Sequence, residues 1–100
     1  MSIFAISFRI HEDATYGERY ESVEREIKAL AVEGKHWSET TSFFLIEYPG
    51  SANALVTEIQ KMSSLSTHTD LLLVINLSQS EFDVIGNVAD RDLNVLMFKR

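Results

Sequence analysis

The aliphatic run at residues 71–75, Leu-Leu-Leu-Val-Ile, narrows the fold more than any other stretch of this chain. It is apolar at every position, so both faces of a strand built from it need cover, and a buried strand within a sheet is expected. Five residues fall far short of the roughly 20 that a membrane-spanning helix needs. The N-terminus, Met-Ser-Ile-Phe-Ala-Ile-Ser-Phe-Arg, lacks the basic start and long apolar stretch of a signal peptide. The expected setting is therefore cytoplasmic, with no membrane partner.

A second strand is expected over residues 2–10. Phe4, Ile6, Phe8 and Ile10 fall on one side, with Ile3, Ala5, Ser7 and Arg9 on the other. The polar stretch 11–15 turns the chain. Thr15 and Glu18 have the spacing of a capping box, which starts a helix. Its apolar stripe is Tyr16, Tyr20, Val23, Ile27 and Leu30, and Gly34 is the expected stop. Residues 36–48 form two short strands broken near Thr40 and Thr41, or one bent strand. After Pro49 and Gly50, Ser51 caps a second helix striped by Ala52, Leu55, Val56, Ile59 and Met62. Residues 82–88 suit a short edge strand. Residues 89–100, acidic first and basic last, suit a C-terminal helix better than a strand.

One hundred residues, 45% apolar and 24% charged, describe one globular domain over residues 1–100. The element order is that of a split βαβ pair, so the expected fold is an α+β, ferredoxin-like βαββαβ sandwich with an extra C-terminal segment. Both crossover helices then lie on one side of the sheet. Leu72, Val74, Ile3, Ala5 and alternate members of 43–46 are expected on the other, where an apolar patch marks an interaction surface. A homodimer packed sheet on sheet would cover it, and so would the C-terminal tail.

The chain has nine Lys and Arg against fifteen Asp and Glu, a formal charge of −6. No segment before the last two residues is basic, so nucleic-acid binding by the isolated protein is expected to be weak. The absence of cysteine rules out disulfides, thiolate metal sites and a cysteine nucleophile. His11, Glu12 and Asp13 adjoin one another but read as solvated turn residues, because adjacent residues seldom converge on one ion. His36, His68 and Asp70 with Ser42 or Ser66 lack a nucleophile elbow. Gly50 and Gly86 are isolated turn glycines without a phosphate-cradling loop around them. The aromatics, Trp37 and Tyr48 included, read as core, since no basic-aromatic RNA-binding motif accompanies them. No cofactor is expected.

Residues 6–11 (Ile-Ser-Phe-Arg-Ile-His), His36 and Trp37 leading through Ile46, and residues 70–77 together resemble the small CRISPR-associated spacer-acquisition subunit and its SinR-like relatives. The similarity runs over residues 2–80, and the virulence-associated protein D ribonucleases share that fold. The resemblance implies a homodimer and a link to nucleic acid. In active relatives the first strand ends in an aspartate that is thought to hold a divalent metal; here Arg9 stands in that position. A guanidinium has only donors and cannot ligate a cation. Arg9 and His11 are thus candidate nucleic-acid contacts, with Arg9 pairing an acid at the interface as the structural alternative. The leading expectation is a dimeric, non-catalytic scaffold or adaptor in a nucleic-acid-related system, with a possible partner protein. A metal-dependent nuclease using other acids and a small-ligand-sensing module are the alternatives.

Overall fold

Alternation along the first strand decides which side of the sheet becomes the core. The computed structural model describes all residues, Met1–Arg100. The elements are β1 (Ser2–Arg9), α1 (Tyr16–Leu30), a 3-10 turn (Val32–Gly34), β2 (His36–Trp37), β3 (Phe43–Tyr48), α2 (Ala52–Met62), β4 (Leu71–Asn76), β5 (Glu81–Gly86) and α3 (Asp92–Met97). The strands form one antiparallel sheet in the order β2-β3-β1-β4-β5, which with three helices makes an α+β fold. Residues 36–48 are thus two strands, and the C-terminal segment supplies both an edge strand and a helix.

Phe4, Ile6 and Phe8 on β1, Phe44 and Ile46 on β3, and Leu72 and Val74 on β4 meet α1 and α2 in one buried cluster. α1 contributes Val23 and Ile27, and α2 contributes Leu55, Val56 and Ile59. Fully burying one such aliphatic side chain contributes about 1.5–3 kcal/mol, so this layer is the main source of stability.

The strand register overturns one expectation. Leu72 pairs with Phe8 and Val74 with Ile6, which puts both on the helix-covered side. Leu71, Leu73 and Ile75, paired with Arg9, Ser7 and Ala5, face the other way. An all-aliphatic run carries no phase of its own, so its register is set by neighbours with polar alternates.

Four smaller corrections follow from local chemistry. Thr15 forms no capping box; its amide and hydroxyl both donate to Asp13 Oδ1 at 2.9 Å, and the hydroxyl oxygen accepts from Arg19 Nε. Helix α1 ends at Leu30, and Gly34, at φ +69°, closes the following turn instead. Met62 is exposed with the rest of the final turn after Ile59. Gly86 is no simple turn glycine: it ends β5 at φ +109°, and a Cβ there would sit 2.0 Å from the Asp70 carbonyl oxygen. The Ser51 cap forms as its sequence implies, accepting from the Ala54 amide at 3.0 Å.

Candidate functional site

The end of β1 and the start of β4 are tied together by one buried acid. Asp70 is fully buried, and its carboxylate accepts from the His11 and Ser66 amides at 2.8 Å. Arg19 reaches it from α1, with Nη1 2.6 Å from Oδ1, and its Nη2 donates to the His11 carbonyl and to Asp13. Burial pushes the Asp70 carboxyl up, but Arg19 and the two amides outweigh it and hold it below the usual range. Asp13 is lowered to about 2, chiefly by Arg19 and then by Thr15. Asp13 and Asp70 are therefore both committed to a cation of the protein itself. Nowhere do three His, Asp or Glu side chains converge as a metal-ligand set.

Arg9 and His11 both emerge at this end of the sheet, with different surroundings. His11 is held by its main chain, and its exposed ring makes no hydrogen bond. Arg9 is exposed and makes one hydrogen bond, from Nη2 to the Asn87 carbonyl at 3.3 Å. Asn87 is itself anchored, its amide donating to the Asp70 carbonyl at 2.8 Å. Arg9 lines a cleft of about 240 Å³ together with Leu71, Leu73, Val84, Val88, Ala89, Asp90 and Leu93. Four of the other lining residues lie in or next to the segment leading to α3, so the cleft lies between that segment and the sheet.

The segment from Val88 through Phe98 thus borders the β4–β5 half of the second sheet face, with Leu93 of α3 in the cleft and Phe98 itself largely exposed. Phe98 packs edge-on against Phe82 with ring centroids 6.2 Å apart, and the Arg100 guanidinium lies 4.9 Å over the Phe82 ring. The β2-β3-β1 half is uncovered. Ile3 is 41% and Trp37 40% exposed there, beside half-buried Phe43 and Leu45.

The hydrolytic set does not assemble. Asp70 is sequestered, Ser42 Oγ hydrogen-bonds the Tyr20 hydroxyl at 2.8 Å, and His36 Nδ1 lies 3.0 Å from the Gly34 carbonyl. Of the aromatics assigned to the core, Phe4, Phe8 and Phe44 are buried, whereas Trp37 is at the surface because β2 is an edge strand.

The organising residue that sequence reasoning passes over is Arg19. Its signal was present: positions 19, 23 and 27 share one helical stripe, and a cation on an apolar stripe calls for a buried acid. No family model, no curated protein and no solved structure matches this chain.

Proposed function

We propose that this protein is a non-catalytic dimeric scaffold or adaptor, built on a ferredoxin-like unit extended by β5 and α3, in a nucleic-acid-related system. The observation that carries the reading is the uncovered apolar half-face on β2, β3 and β1, where Ile3, Leu45 and Trp37 meet solvent beside a closed core. A patch of this kind on a chain with little core of its own favours association with a second copy. The spatial order β2-β3-β1-β4, with both long helices packed on one face, supports the ferredoxin-like assignment. The nucleic-acid setting rests on the sequence resemblance, and the −6 charge favours contact through a partner over direct binding. A cytoplasmic location accords with it; no helix is long and apolar enough to cross a membrane.

Light scattering at micromolar concentration, paired with fluorescence anisotropy on RNA and duplex DNA, tests the reading. The expected result is twice the chain mass, with little nucleic-acid binding near physiological salt. A strict monomer would overturn the scaffold. Magnesium- or manganese-dependent cleavage lost in Asp13→Asn would replace it with the nuclease.

A further inference from the structure

Beyond pairing with itself, we infer that the chain holds a binding site for a small amphiphilic carboxylate, in the cleft between α3 and the sheet with Arg9 as its anchor. Three features converge there. The walls are aliphatic, with Leu71 and Leu73 from β4, Val84 from β5 and Leu93 from α3. The volume, about 240 Å³, suits a short hydrocarbon chain rather than a polymer or a large cofactor. Arg9 stands at the border with one long hydrogen bond and the remaining donors of its fork unused.

The arrangement selects charge as well as shape. An apolar pocket with one directed polar group fixes a ligand by its head and holds it by its tail. A planar guanidinium matches a carboxylate by a forked pair of hydrogen bonds. The acid in the lining, Asp90, is engaged locally: its Oδ1 accepts from the Asp92 amide at 2.9 Å. It forms no ion pair with Arg9, which leaves the guanidinium available. Helix α3 contains no buried residue, so the outer wall can adjust around an occupant without disturbing the core.

Three eight-carbon probes that differ only at the head, octanoate, octanol and octylamine, separate the contributions when titrated into the full chain and followed by NMR. Octanoate should bind most tightly and shift the methyl signals of Leu71, Leu73, Val84 and Leu93. Arg9→Gln should weaken octanoate about tenfold or more, to the level of octanol. Ala89→Trp, at an exposed position of the rim, should block all three probes while leaving the core spectrum intact. Octylamine binding as tightly as octanoate would make Asp90 the anchor and overturn the inference. So would equal affinity of octanoate and octanol for the wild type. Shifts confined to Ile3 and Leu45 on the uncovered half-face would do the same.

Discussion

Arg19 on α1 and Asp70, 51 residues later at the start of β4, meet as a buried ion pair that also fixes the His11 loop and the Ser66 turn. One carboxylate thereby joins the first strand, first helix and fourth strand. Asp70 is fully buried and Arg19 is 7% exposed, and Arg19 pairs a second acid, Asp13, at 3.0 Å.

Asp70→Ala should cost about 3–5 kcal/mol, because it removes the acceptor of buried Arg19 Nη1 and leaves the His11 and Ser66 amides without theirs. Urea unfolding would show this as a lower midpoint at an unchanged slope. A loss below 1 kcal/mol would mean that water reaches the cluster.

Acid should act on the same network. Asp13 at about 2 and a lowered Asp70 are folded-state values below the ordinary 3.8. Their contribution is fully present above that ordinary value and is lost as pH falls through the folded-state one. Urea midpoints should therefore be level from pH 7 to about 5, then fall between about 4 and 2. A decline centred near pH 6 would point to histidine instead.

Gly86→Ala should destabilise the β4–β5 pair by about 2–4 kcal/mol, since it combines a left-handed φ with a clash against backbone. Hydrogen exchange should locate the loss on β5 and the Asn87 amide. Gly17→Ala offers the contrast: a Cβ there meets nothing within 4 Å, inside α1, so stability should rise slightly.

If the uncovered half-face is the seam between two copies, Ile3→Lys should weaken the dimer about 100-fold, since a buried unpaired charge costs several kcal/mol. The side chain is already 41% exposed in one copy, so the thermal midpoint of the dilute subunit should move little. Unchanged self-association would place the seam elsewhere.

The parts of the fold with a phase of their own were legible in the sequence. Residues 2–10 alternate, the two long helices carry clear stripes, and Ser51 announces a cap. Residues 71–75 announced a strand but not its facing, because five aliphatics look alike from either side. The candidate site was legible in part. Arg9 stood out only through the family resemblance, in the place of that family's aspartate, whereas the cleft beside it is assembled from β1, β4, β5 and α3 with its approach. No local pattern reports such a meeting. Arg19 hid because an arginine on a helix is ordinarily solvated, and its burial depends on an acid far along the chain.

Under the proposed dimer, helix α3 also bears on valency. One sheet face lies under α1 and α2, and the other is bordered on its β4–β5 half by α3, with Phe98 edge-on to Phe82. On the proposed seam, two copies that close over the β2-β3-β1 half-face leave that face nothing for a third, while Val95, Leu96 and Phe98 remain exposed outside it. The free edges add little invitation. One is the two-residue strand β2, and the other, β5, carries Glu81 and Asp83. If that half-face is the seam, the C-terminal segment beside it confines stacking to one half of the sheet.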